Sequence, residues 1–355
     1  MPKIKEPYII AETAYNHEGN INYLYQMIDD IAELQLNAVK VHLLLNPESY
    51  MTPNHPLFSE LKKWVFSEKQ WDNLINYMNK KRLDIIALCD DAESIQYLLR
   101  KKKKINAIEL HATGLNDFYL LREACNFDGK IILGIGGSTI DEISYAVDSL
   151  KRKNKDDIIL MYGFQSYPTD YANINLARMM KLQNLFQLPI GYADHTGFDD
   201  PFNELVSVSA AIMGFNILEK HYTLDFGKER IDFHAAAGRQ QMKKIKELMK
   251  IALMIYGNGN ILLSESEKIY SNIGPMKKAI VARKSIKKGE KLKLDYLWFK
   301  RTNEESTISQ NHLLQIIGLK TTQDIAVDEI IDYSKLEYSF KKRKLKDFTY
   351  KGKDK

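Results

Sequence analysis

The stretch Ile217-Leu-Glu-Lys-His-Tyr-Thr-Leu224 decides the fold class. It reads as a buried strand that turns polar at its C-terminal end. Glu219 and His221 stand two apart and share one face, while Lys220 points the other way. The segment Leu188-Pro-Ile-Gly-Tyr-Ala-Asp-His195 repeats the design and ends in Asp194 and His195. Two histidines at the C-terminal ends of nearby parallel strands, one beside a carboxylate, are the donor set of a metal site, which makes His195 and His221 candidate ligands. The plainer alternative is that each imidazole satisfies its own hydrogen bonds at a strand end.

Working outward, six more short apolar segments precede these two: Tyr8–Glu12, Ala38–Leu44, Asp84–Cys89, Ala107–Ala112, Lys130–Gly136 and Ile158–Gly163. Each is nearly continuous in apolar character, as strands covered on both faces are. Amphipathic helices read between them. Tyr23–Leu36 carries Leu24, Met27, Ile28, Ile31 and Leu34 on one stripe, and Ser67 with Gln70 forms a capping box before Glu68–Lys81. Ser138 or Thr139 opens a helix, and Gly238–Tyr256 closes the series. Strand and helix alternating over about 250 residues give a (β/α)8 TIM barrel. An open doubly wound sheet is the runner-up, but no Gly-x-Gly-x-x-Gly turn follows the first strand. The expected organisation is a barrel over 1–257, a linker over 258–276, a small β-rich unit over 277–338 and a basic tail over 339–355. In the small unit, strands are expected at Ala279–Ala282, Leu292–Leu294, Trp298–Arg301 and Ile316–Leu319.

Charge and cysteine content narrow the classes. The formal net charge of the 355 residues is +5, but residues 341–355 hold eight Lys or Arg against two Asp, so the remainder sums to −1. The tail reads as a solvated end, and the globular part has no basic balance toward nucleic acid or membrane. No apolar run is long enough to span a bilayer, and the start lacks a signal-peptide core. Cys89 and Cys125 are the only cysteines, which fits a reducing cytoplasm.

Barrel enzymes carry their chemistry at the C-terminal ends of the strands. Collected there are Glu12, Asn16, His17 and Glu18, then Lys40 and His42, Glu109 and His111, Gln165 and Tyr167, Asp194 and His195, Glu219 and His221, with Asp232 just beyond. Burying so many charges is costly unless they pair or bind a ligand, so the ring reads as a functional site. Lys40 reads as an anion-binding group, as a partner of Glu12 or Glu109, or as a Schiff-base lysine if its pKa is depressed. Trp64, Trp71 and Trp298 read as packing residues.

Several motifs together resemble the sialic acid synthases, which make nonulosonic acids. They are Ala11-Glu-Thr-Ala-Tyr-Asn-His-Glu-Gly19, Ala38-Val-Lys40, Ser166-Tyr-Pro-Thr169, Gly191-Tyr-Ala-Asp-His195 and Ile217-Leu-Glu-Lys-His-Tyr-Thr223. The small unit, with Ala282-Arg-Lys-Ser-Ile-Lys-Lys-Gly-Glu290, resembles the antifreeze-like (SAF) domain of those enzymes. The resemblance implies a TIM-barrel transferase that condenses phosphoenolpyruvate with an open-chain N-acyl amino sugar. It implies a divalent metal, Mn2+ or Mg2+, on His195 and His221, with catalytic roles for Glu12, Lys40 and Glu219. Tyr167, Asp232 and Gln165 fall at substrate-binding positions, as do His42, Glu109 and His111. It further implies a domain-swapped homodimer in which Arg301 enters the partner's site.

The chain departs from the family pattern where that pattern holds phosphate. Lys40-Val-His42 stands for Lys-Phe-Gln, and Leu88-Cys-Asp-Asp91 for Ser-Thr-Pro-Phe. Glu109-Leu-His-Ala-Thr-Gly114 stands where a lysine is expected, and Gly134-Ile-Gly-Gly137 for Ser-Thr-Gly-Met. Exchanging a lysine for Glu109 moves the local charge by two units against an anion. The alternative is therefore a metal-dependent sugar aldolase, lyase or isomerase that does not use phosphoenolpyruvate; separately, Glu109 and His111 are further candidate metal ligands beside His195 and His221.

Overall fold

The structure, a computed structural model, describes residues 5–164, 166 and 169–337. Eight parallel strands close a barrel in sequence order. They are β1 (Tyr8–Glu12), β2 (Ala38–Leu43), β3 (Asp84–Cys89), β4 (Ala107–Leu110), β5 (Lys130–Gly134), β6 (Ile158–Tyr162), β7 (Ile190–Asp194) and β8 (Ile217–His221). Strand β8 pairs back onto β1, so the sheet has no free edge.

Both faces of the sheet are covered, which explains the unbroken apolar runs. Outside, each helix lays one stripe on the strands. In Ile21–Glu33 that stripe is Tyr23, Leu24, Met27, Ile28 and Ile31. This helix begins earlier than its apolar stripe because the Asn20 side chain accepts from the backbone N–H groups of Asn22 and Tyr23. The Ser67–Gln70 capping box is present and opens Glu68–Lys80. Thr139, not Ser138, caps Ile140–Lys151, with Glu142 completing the box.

Inside the barrel, Ile10, Ala38, Ile86, Ala107, Ile132, Met161 and Ala193 form an apolar plug. Each larger aliphatic of such a plug contributes about 1.5–3 kcal/mol by leaving water. The next inward layer is polar, and strand register sets its neighbours. Glu12 lies opposite Lys40 on one side and His221 on the other. At β5, β6 and β7 the strand ends crowd together. A Cβ on Gly136 would lie 2.1 Å from the Gly163 carbonyl oxygen, so glycine is required for that approach.

A second compact unit begins at Ile261. Its antiparallel pair β9 (Ala279–Ala282) and β10 (Leu297–Lys300) encloses Ile280, Ile286, Leu292, Ile308, Ile316, Ile325 and Ile331. Two expected strands are absent there. Leu294–Tyr296 is a 3-10 turn and Leu313–Ile316 a short helix, although Leu292 and Ile316 are buried. In so small a unit the apolar pattern marks burial rather than strand. The interval read as a linker carries the helix Glu265–Tyr270, opened by a Ser264–Glu267 capping box. Among the described residues no helix is long and apolar enough to cross a membrane.

Candidate active site

The centre of the barrel mouth is a buried lysine held by three carboxylates. Lys40 Nζ lies 3.2 Å from Glu12 Oε2, 3.0 Å from Glu109 Oε1 and 2.7 Å from Glu219 Oε1. Burial alone would lower the Lys40 pKa, but Glu109, Glu12 and Glu219 outweigh it and raise it. The ammonium is thereby locked in its charged form, and the Schiff-base role, which needs a depressed pKa, is not supported. One positive charge does not satisfy three negative ones. Burial raises the Glu219 carboxyl well above its usual range and raises Glu109 as well. Glu12 goes the other way: burial opposes ionisation, but Lys40 and His221 hold its pKa well below the usual range. The cluster therefore combines a fixed carboxylate with two carboxyls biased toward holding a proton, an arrangement suited to acid–base work.

His42 extends the cluster outward. Its Nε2 lies 2.8 Å from Glu12 Oε1 and its Nδ1 3.5 Å from Asp90 Oδ2. Burial would lower its pKa, but Asp90 and Glu12 raise it to about 10. The Tyr15 hydroxyl donates to the same Asp90 oxygen at 3.1 Å.

On the opposite side stand the two strand-end histidines. The rings of His195 and His221 have centroids 5.1 Å apart at an interplanar angle of 78°. Two imidazoles sharing an ion through bonds of about 2.1 Å have ring centres about 5 Å apart. Burial and the neighbouring His221 lower the His195 pKa to about 3, so the ring is neutral, as a ligand must be. Both ring nitrogens of His221 are buried without a hydrogen-bond partner among the described residues, and Nε2 lies 3.4 Å from Glu12 Oε2. An imidazole whose approach to Glu12 is too long for a good hydrogen bond keeps a ring nitrogen available to a ligand. The pair thus fits a divalent cation. Among the described residues, however, no three His, Cys, Asp or Glu side chains are grouped to hold one unaided. Glu109 and His111 form no such group with the two histidines among the described residues. Glu109 is taken up by Lys40, and His111 Nδ1 is 2.9 Å from Thr113 Oγ1.

Strands β7 and β8 are pinned behind the histidines by a second buried pair. Lys220, directed away from the lumen, reaches Asp194 Oδ2 at 2.7 Å. Asp194 also accepts from Ser207, from the Thr196 hydroxyl and backbone N–H, and from Tyr192. Burial opposes its charge, but Lys220 prevails and brings its pKa to about 2. Asp194 therefore holds the chain that presents His195.

Two adjoining cavities open on these groups. The floor cavity, about 360 Å³, is lined by Glu12, Lys40, Glu109, Glu219, His195 and His221 together with Ala112, Gly134, Met161 and Ala193. The outer cavity, about 630 Å³, has His42, Asp90, Tyr15, Tyr50, Trp64 and Asp232 in its wall, and shares His111 and Thr113 with the floor. Asp232 thus reaches the site region but belongs to the outer cavity, in a left-handed conformation at φ 61°. Gln165 and Tyr167 lie outside the described residues. Arg301 belongs to the second unit, where its guanidinium donates to the Pro275 carbonyl. Sequence reasoning missed Asp90 and Tyr50 as lining residues and took Trp64 for packing. Its ring is 5.3 Å from that of Tyr15 at the cavity wall. Loop residues carry no periodicity, and only the strand-end position of Asp90 hinted at its place.

Residues 30–260 match the NeuB family and residues 277–337 match the SAF domain. The chain belongs to the NeuB family. The resemblance read from its motifs is thereby borne out, as is the barrel with a small β-containing unit behind it. The chain is 27% identical to the N,N'-diacetyllegionaminic acid synthase of Campylobacter jejuni over 92% of its own length and 99% of the relative's. It is 27% identical to the crystallised N-acetylneuraminic acid synthetase of Leptospira borgpetersenii, covering 75% of this chain and 90% of that one at a TM-score of 0.69. A spore coat polysaccharide biosynthesis protein E of Chromobacterium violaceum, 21% identical, superposes at a TM-score of 0.81 over 94% of this chain and all of the other, and shows the fold. With synthases matched along most of its length, the chain is an enzyme of the carbon–carbon-forming transferase class.

Proposed function

We propose that the protein joins a three-carbon acid unit to the aldehyde of an open-chain N-acyl amino sugar, giving a nonulosonic acid. The observation that carries this reading is the His195–His221 pair standing beside the Glu12–Lys40–Glu219 cluster in the wall of one cavity. A divalent cation, Mn2+ or Mg2+, would be held by the two imidazoles with water and substrate oxygens, and would supply Lewis-acid polarisation of the sugar carbonyl. The chain's own groups do the rest. Glu12, ionised beside His221, orients the imidazole. Glu219 carries the proton that the new alkoxide takes up, and Lys40 keeps the carboxylates in place. Asp232 in the outer cavity is available to sugar hydroxyls. In the family form of the reaction the donor is phosphoenolpyruvate. Its C3 forms the new bond, water adds at C2, and phosphate leaves with cleavage of the C2–O bond. Arg301 of a second copy would then complete the site in a domain-swapped homodimer.

One observation favours a second reading. Glu109 places a third carboxylate on Lys40, where a bound phosphate would need a cation. In that reading the enzyme is a metal-dependent sugar aldolase, lyase or isomerase that does not use phosphoenolpyruvate. The test is incubation of the full chain with Mn2+ and a panel of N-acyl hexosamines, with and without phosphoenolpyruvate. Sugar consumption is followed by mass spectrometry and phosphate by colorimetry. Phosphate release with a nonulosonic acid product supports the first form, and conversion without phosphate release supports the second. No conversion of any sugar, with any metal, contradicts both.

A further inference from the structure

The two cavities of the barrel mouth are joined by a pair of residues to which the condensation gives no task. Glu12 lies in the wall of the floor cavity, and His42 and Asp90 lie in the wall of the outer one. His42 spans the gap: Nε2 is 2.8 Å from Glu12 Oε1, and Nδ1 is 3.5 Å from Asp90 Oδ2. The second approach is an ion pair rather than a good hydrogen bond. Asp90 is itself held in place. The Tyr15 hydroxyl donates to the same oxygen at 3.1 Å, and the Asp90 backbone N–H donates to the Leu43 carbonyl at 3.3 Å. The Tyr15 ring also packs on the imidazole, with centroids 4.7 Å apart. The groups that face the ring are Glu12, Tyr15 and His17 from β1 and its loop, Lys40 from its own strand, Asp90 from the end of β3, and Glu109 and His111 from β4. Burial opposes a charge there, but Asp90 and Glu12 outweigh it and keep the ring protonated. A planar imidazolium between two carboxylates is a stiff bridge with a donor at each end. The terminal torsion of a glutamate is soft, so Glu12 needs such a tie to hold one orientation. With Oε1 on His42, Oε2 is left to Lys40 at 3.2 Å and to His221 Nε2 at 3.4 Å. His42 and Asp90 both fall in stretches that depart from the family pattern, Lys40-Val-His42 and Leu88-Cys-Asp-Asp91. Two departures on neighbouring strands that meet as opposite charges form one device.

We propose that His42 and Asp90 form a positioning dyad that aims Glu12 at His221 and at the cation the two histidines would hold. The proposal rests on the roles given above to Glu12 and His221. It goes beyond them by assigning His42 to the orientation of Glu12 rather than to contact with substrate.

The test compares the full chain as wild type, His42→Leu, His42→Gln, Asp90→Asn and the His42→Leu/Asp90→Asn double variant. Mn2+ affinity is measured without substrate, and kcat and KM for the sugar are measured with Mn2+ and phosphoenolpyruvate. His42→Leu removes the bridge and should weaken Mn2+ binding and lower kcat by about tenfold each. Its KM for the sugar should stay within about twofold of the wild type, because no substrate contact is lost. His42→Gln still donates to Glu12 and should recover most of both losses. Asp90→Asn should show a smaller loss of the same kind. In the His42→Leu background it should add nothing, because the two residues act as a unit. Thermal melting reports which variants fold, and Asp90→Asn with His42→Gln decides the matter if His42→Leu does not. A raised KM with unchanged kcat would make His42 a substrate-binding group and overturns the proposal. Wild-type Mn2+ affinity in the folded variants, or additive losses in the double variant, overturns it too. A wild type that binds no Mn2+ removes the proposal together with the metal site. Mn2+ affinity that follows the dyad, with no sugar converted, upholds the proposal and removes the proposed reaction.

Discussion

The Lys40→Met substitution removes an ammonium that lies 2.7 Å from Glu219, 3.0 Å from Glu109 and 3.2 Å from Glu12. Three buried carboxyls are then left facing one another, a loss of about 3–5 kcal/mol. In the variant the folded pKa values of Glu109 and Glu219 should rise further above the unfolded ones, and Glu12 should lose the depression that Lys40 gives it. The folded state then binds more protons, and the loss should grow as pH rises from 5 to 8. Denaturant midpoints across that range check this, and a variant as stable as the wild type at pH 8 would contradict it. His42 gives the opposite test of sign. Its folded pKa of about 10 stands above the usual 6.5, so its contribution is complete below pH 6.5 and is lost as pH climbs toward 10. The wild type should lose on the order of a few kcal/mol over that window, and His42→Gln should flatten the slope. An unchanged slope would mean that His42 is not the titrating group. These residues were legible one at a time, because alternation along a strand marks an inward charge. Their partners were not. That Lys40 gathers three carboxylates at once follows from barrel closure, which no single strand encodes.

At the scale of elements, the paired strands β7 and β8 present the two histidines, and the Asp194–Lys220 bond fixes them from behind. Asp194→Ala leaves the fully buried Lys220 ammonium unpaired and should cost about 3–5 kcal/mol. It should also weaken Mn2+ binding, because the chain at Thr196 and Ser207 loses its anchor. A melting curve and a metal titration on the same variant check both, and loss of stability with wild-type metal affinity would separate the pin from the site. Helix starts were well marked by Ser67 and Thr139, since a capping side chain acts on its own helix. Strands in the second unit were poorly marked. Its core is made by residues such as Leu292 and Ile316 that are buried from turns and short helices, where no period of two applies.

At the scale of the molecule, a barrel unit and a second unit divide the chemistry if Arg301 serves the barrel of another copy. The Arg301 guanidinium is exposed and its hydrogen bonds among the described residues go to the Pro275 carbonyl and the Met276 sulfur of its own unit, so Arg301→Ala should leave the melting temperature nearly unchanged. Turnover should fall about tenfold or more if it touches substrate. Mixing the Arg301→Ala and His221→Ala proteins under conditions that exchange subunits should then restore part of the activity. A fully active Arg301→Ala protein would remove the cross-copy role. The motif order made the barrel and the attached unit legible along most of the chain. The rebuilt floor, with Glu109 on Lys40, was visible as substitutions but not as a cavity of a particular chemistry. The central claim is that His195 and His221 form a metal-binding pair at the barrel mouth. It is tested most directly by titrating Mn2+ into the wild type, His195→Ala and His221→Ala and counting free ion by electron paramagnetic resonance. One bound ion in the wild type, with affinity lowered at least about a hundredfold in each variant that still melts cooperatively, is the expected result; equal Mn2+ affinity in all three proteins would contradict the account.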